Sequence, residues 1–126
     1  MKTLAVVSRK GGAGKTTVAV NLTMAARSMG VKAVLADADP QRSACDVLKG
    51  REEAASLIFE TSASKLFTLI EASRRSGAEL LIIDTPAAPE QDVAAAVKVA
   101  DLCLAVARPT YLDLASTERI WAKAVW

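Results

Sequence analysis

The chain of 126 residues is 52% apolar and 24% charged with only 4% aromatic side chains, enough for one domain and one core. A formal net charge of +2 gives no case, by charge alone, for a dedicated nucleic-acid binder. With no histidine and only Cys45 and Cys103, the composition argues against a Cys/His metal site and against histidine general-base chemistry.

Residues 3–8, "TLAVVS", form a short β-branched run that ends at glycines and predict a buried strand. Met1 leads through Lys2 straight into it, with no signal core or cleavage site. No apolar stretch approaches the roughly 18 residues of a membrane span, so the expected location is cytoplasmic, with no membrane partner. From residue 14 to 29 the spacing of Val18, Leu22, Ala25, Ala26 and Met29 predicts a helix, stopped by Gly30. A second strand is expected over 31–37, a loop at "DADPQ", a short helix over 41–49 and a weak third strand over 55–60.

Leu66, Phe67, Leu69 and Ile70 predict a helix over 62–76, ended by Gly77. "AELLIIDTP", residues 78–86, is the clearest strand signal. An alanine-rich helix over 89–100, a strand over 101–109 and a last helix over 112–125 complete the series. Cys103, inside "LCLAVA", reads as a buried thiol, and Cys45 is less defined.

Strands alternating with helices imply an α/β domain whose parallel sheet is covered on both faces, with ligands at the carboxyl ends of the strands. Residues 11–17, Asp37 with Asp39, and Asp84 with Thr85 each directly follow an apolar strand, so three polar clusters converge on one edge.

In "GGAGKT" the glycines allow a backbone anion cradle, and the helix after it adds its positive end. Lys15 is expected to reach the outer phosphates of a nucleotide, and the Thr16 hydroxyl to hold magnesium. A plain glycine turn is the bland alternative, disfavoured because strand, loop, Lys-Thr and helix occur in the order such a site requires. Asp84 is placed to hold a magnesium-bound water, or else caps a turn before Pro86. An extended chain would point Asp37 and Asp39 the same way. Asp39 ranks first to orient an attacking water and Asp37 falls near the metal, although either alone could be an ordinary loop aspartate.

"KGGAGKTT", "DADPQ", "LLIIDTP" and "RPT" together resemble the ParA/MinD family of deviant Walker ATPases, most of all its ParA-type partition proteins, from residue 2 to about residue 120. The resemblance implies a P-loop NTPase-like three-layer sandwich with a mainly parallel sheet, lacking the usual C-terminal strands, and residues 1–126 as a single nucleotide-binding domain. It implies ATP and ADP with Mg2+ as ligands, slow hydrolysis and a nucleotide-switched dimer in plasmid or chromosome partition. Lys10, Gly11, Gly12, Ala13, Gly14, Lys15, Thr16 and Thr17 would bind the nucleotide. Lys10, Lys15 and Asp39 would act in catalysis, with Lys10 reaching the partner's phosphates, and Thr16, Asp37 and Asp84 would serve the metal. A solvated loop lysine is the plainer reading of Lys10. A ParB-like centromere-binding protein and non-specific DNA are the partners the family implies.

Arg9 stands where the usual phosphate-loop pattern has glycine, and Arg42 stands where the family more often has glycine after "DPQ". The region beyond residue 126 that normally carries further strands, much of the base pocket and DNA-gripping basic residues is not in this sequence. Self-association through an exposed edge strand or through Ile120, Trp121, Val125 and Trp126 is therefore expected as an alternative to pairing at the nucleotide face, an apolar tail packed on its own sheet being the plainer case. The rival function is a shortened, non-catalytic module that binds nucleotide weakly or pairs with a full-length relative. A cluster-bridging reductase lacks the paired cysteines it needs, and a small-molecule ligase lacks a visible second substrate site.

Overall fold

The computed structural model describes residues 1–11, 14–52, 56–110 and 115. Along the chain run β1 (Lys2–Val7), α1 (Lys15–Ser28), β2 (Ala33–Asp37), α2 (Ser43–Leu48), β3 (Ile58–Glu60), a 3₁₀ turn (Ala63–Lys65), α3 (Leu66–Arg75), β4 (Leu80–Asp84), α4 (Glu90–Val99) and β5 (Leu102–Ala105). The five strands make one sheet in the order β3-β2-β4-β1-β5, with every pair parallel. Parallel pairing needs crossover helices, and these cover both faces. All of β2 is consequently buried, as is β4 after its first residue.

Period-two alternation divides each strand between two cores. Ala5, Val7, Val34, Ala36, Leu81 and Ile83 face α3 and α4, which contribute Leu66, Ile70, Val93 and Ala96. Val6, Leu35 and Ile82 face α1 and α2, with Ala19, Val20, Ala44 and Leu48. Each fully buried Leu or Ile stabilises the fold by about 1.5–3 kcal/mol relative to exposure.

The helix over 14–29 forms, but its buried face differs from the stripe that the spacing picked out. Ala19, Val20 and Thr23 are buried, whereas Leu22 is exposed and Met29 is 81% exposed. Apolar and polar residues are interspersed around this helix, so periodicity alone does not select a face; small residues let it approach the sheet closely. Thr23 satisfies its buried hydroxyl by donating to Ala19 O at 2.8 Å.

The edge strands are shorter than expected. β3 has three residues and pairs with β2 alone, and β5 has four and pairs with β1 alone, among the described residues. Leu102 and Leu104 of β5 remain exposed on the α1 side of the sheet, opposite Leu4 and Val6 in register. Cys103, on the other side, is only partly buried, because an edge strand lacks cover from an outer neighbour. The expected last helix over 112–125 lies outside the described residues, apart from residue 115.

One topological feature positions the site. The connection after β1 crosses the face of α1 towards β2, while the connection after β4 crosses the opposite face, through α4, towards β5. β1 and β4 are neighbours, so their outgoing loops part and leave a crevice at the carboxyl ends of the strands.

Candidate nucleotide-binding site

The crevice is a cleft of about 680 Å³ whose wall includes Gly11, Gly14, Lys15, Thr16, Thr17 and Asp39. Gly14 precedes α1 with φ 95°, a left-handed conformation that suits a residue without Cβ, and Lys15 opens the helix. The positive end of a 14-residue helix therefore faces the cleft. Gly12 and Ala13 lie outside the described residues. Lys10 is partly buried at the mouth of the loop, and its carbonyl accepts the Ser8 hydroxyl at 2.8 Å.

At the foot of the cleft the Thr16 hydroxyl donates to Asp84 Oδ2 at 2.7 Å. Asp84 is fully buried at the end of β4, and its Oδ1 has no hydrogen-bond partner among the described residues. Burial pushes the Asp84 carboxyl up to about 6, with the neighbouring Asp37 adding to the rise; the Thr16 hydroxyl and the Lys15 charge oppose it. An orphaned carboxylate oxygen beside a hydroxyl is a hard-oxygen donor set, so these residues fit a magnesium ion. Thr85 anchors the same strand end by donating its hydroxyl to Val6 O at 2.8 Å, tying β4 to β1.

Asp37 and Asp39 do different work, because the chain turns between them. Asp37 is fully buried, accepting the Asp39 N–H on Oδ1 at 3.2 Å and the Cys45 N–H on Oδ2 at 3.0 Å, so it caps the first turn of α2. Asp39 lines the cleft, and its Oδ1 accepts the Gln41 N–H at 2.9 Å. Cys45, next to Asp37, has its thiol pushed up to about 12 by burial first and by the Asp37 carboxylate second, which keeps it protonated.

Two arginines carry structure that sequence reasoning left without a role. Arg9 pairs through Nη1 with Glu90 Oε1, joining the loop mouth to the start of α4. Arg42 binds the ends of β2 and β3 through its guanidinium. Both stand at positions noted as departures from glycine, and that was the signal available.

Residues 4–119 match the CobQ/CobB/MinD/ParA nucleotide binding domain. The chain belongs to that family. It is 39% identical over 116 residues to "Maintenance of carboxysome distribution protein A" of Gloeobacter kilaueensis, covering 90% of this chain and 52% of that protein. It is 33% identical over 115 residues to "Protein ParA" of Rhizobium radiobacter, covering 90% of this chain and 51% of that protein. The chain thus spans about half the length of these relatives.

Among solved structures, the ATP complex of a Cyanothece McdA variant superposes with a TM-score of 0.72 at 26% identity, covering 98% of this chain and 62% of that one. The septum site-determining protein MinD of Pyrococcus horikoshii, solved with Mg-ADP, shares the fold with a TM-score of 0.70 at 22% identity, covering 98% of this chain and 65% of that one. The five-stranded parallel sheet with flanking helices is therefore that of the ParA/MinD P-loop ATPases.

Proposed function

We propose that this domain binds ATP with magnesium in the β1/β4 crevice, hydrolyses it slowly, and uses the cycle as a dimer switch in plasmid or chromosome partition. The observation that carries the reading is the Thr16–Asp84 hydrogen bond at the foot of a cleft walled by Lys15 and the N-terminus of α1. The names of relatives, carboxysome distribution for that of Gloeobacter kilaueensis and chromosome partitioning for one of Treponema pallidum, support the biological setting.

In this reading the backbone of Gly11, Gly12, Ala13 and Gly14 cradles the phosphates. Lys15 neutralises the outer ones, and Thr17 sits near the inner one. Thr16 and Asp84 would hold magnesium, and Asp37 supports that side through its buried charge. When bound, the ion would supply screening of the charge between the outer phosphates. Asp39, on the cleft wall, orients the attacking water by accepting its proton in a hydrogen bond. A lone carboxylate is a weak activator, so turnover is slow. Lys10 reaches the phosphates of a second copy; two triphosphates brought together need the added positive charge. A ParB-like protein stimulates hydrolysis, and non-specific DNA is the surface served.

The test is steady-state ATP hydrolysis by this chain with and without magnesium, beside Lys15→Ala. Magnesium-dependent hydrolysis that falls at least about a hundredfold in the variant supports the enzyme. Nucleotide binding without any turnover would favour a non-catalytic module.

A further inference from the structure

Arg42 occupies a left-handed backbone position, φ 54°, which a glycine adopts without strain and an arginine does not. Its Nη1 donates to Asp37 O at 2.6 Å and to Thr61 O at 2.8 Å, and its Nε lies 3.6 Å from Glu60 Oε2. The first carbonyl ends β2, the second follows β3, and the Thr61 N–H itself donates to Asp37 O at 2.9 Å. One guanidinium therefore closes the carboxyl ends of two adjacent strands.

The backbone of the same residue holds the other end of the connection. The Arg42 N–H donates to Asp39 O at 2.9 Å, closing a turn from Asp39 to Arg42 in which Pro40 takes the second position. Asp39, Pro40 and Gln41 line the cleft. The turn is thus tied at Arg42 to a buried frame and presents Asp39 to the site. A strained φ persists where surrounding contacts over-determine it, and the planar fork of arginine provides them.

We infer that Arg42 is a positioning residue, a clamp that fixes the Asp39 turn against the cleft before any nucleotide arrives. Asp39 then needs no loop ordering when substrate binds, and the clamp acts on turnover rather than on phosphate affinity. The inference rests on the reading that Asp39 serves hydrolysis.

The experiment compares the wild-type chain with Arg42→Gly and Arg42→Lys. Glycine suits the backbone and removes the fork, so folding is retained, as thermal melting will verify. Without nucleotide, amide hydrogen exchange at positions 41, 42 and 61 is expected to rise about tenfold in Arg42→Gly. With Mg-ATP, kcat is expected to fall about tenfold while KM stays within about twofold. Arg42→Lys, which keeps a cationic donor and loses the planar fork, is expected to recover only part of either readout.

Unchanged exchange in Arg42→Gly overturns the clamp. Raised exchange with unchanged kcat overturns the positioning role, and so does a loss of affinity as large as the loss of kcat. A wild-type chain that does not hydrolyse ATP contradicts the proposed function instead, and the exchange arm still decides for or against the clamp.

Discussion

Asp84 shows how one buried atom defines a chemical requirement. Its carboxyl group is fully buried, one oxygen takes the Thr16 hydroxyl, and the other has no partner among the described residues. A cation at that point would relieve the cost of burying the charge. Replacing Asp84 or Thr16 by Ala is accordingly expected to weaken ADP binding about tenfold or more in the presence of magnesium, and far less without it. Titration calorimetry with and without the metal measures the difference; equal losses in both conditions would contradict the assignment. The sequence made Thr16 and Asp84 legible, since each ends a strand or opens a helix in a motif. It did not make the partners of Asp37 legible. An extended chain would have pointed Asp37 and Asp39 alike, whereas the turn at Asp39–Arg42 gives the first to the α2 cap and the second to the cleft. Nor did it show Arg42 as more than a departure from glycine, because its carbonyl partners Asp37 and Thr61 meet only when β2 and β3 pair.

At the scale of elements, strands and helices were readable wherever period and punctuation agreed, and their buried faces were less so. In α3 the apolar run includes Leu66, Phe67, Leu69 and Ile70, yet Leu66 and Ile70 are buried while Phe67 is 69% exposed. Phe67 lies about 100° round the helix from Leu66, off the stripe that meets the sheet. Ile82→Ala, in the middle of β4, should therefore cost about 2–5 kcal/mol, and Phe67→Ala should stay within about 0.5 kcal/mol. Urea unfolding of the two variants checks the contrast; equal losses would mean that the faces are assigned wrongly. The lead-in to β5 gives a pH-dependent prediction. The Asp101 carboxylate accepts the Thr3 N–H at 2.7 Å, and this bond, with Lys2 nearby, holds its carboxyl below the usual carboxylate range. A depressed folded value means stability that is present above the unfolded value of about 3.9 and lost as pH falls through the folded one. The melting temperature of Asp101→Ala should fall short of wild type at pH 7, and the gap should close on acidification below about pH 4. A gap independent of pH would show that Asp101 acts without its charge.

For the whole molecule, the order β3-β2-β4-β1-β5 is what turns three separate sequence clusters into one site. Strand alternation implied a parallel sheet, but the order depends on which hydrophobic faces pair across long sequence separations, and local pattern carries no record of that. Among the described residues the same order leaves β5 at an edge with Leu102 and Leu104 exposed. If the proposed switch holds, pairing through the cleft and Lys10 responds to nucleotide, whereas association through the edge does not. Among the described residues no helix is long and apolar enough to cross a membrane. The most direct test of the switch is the solution mass of the chain by light scattering, with and without ATP and magnesium, beside Lys10→Ala. Dimer formation that requires ATP and is lost in the variant is the predicted result. The same mass under every condition would contradict the switch, and a dimer's mass throughout would point to association through the edge.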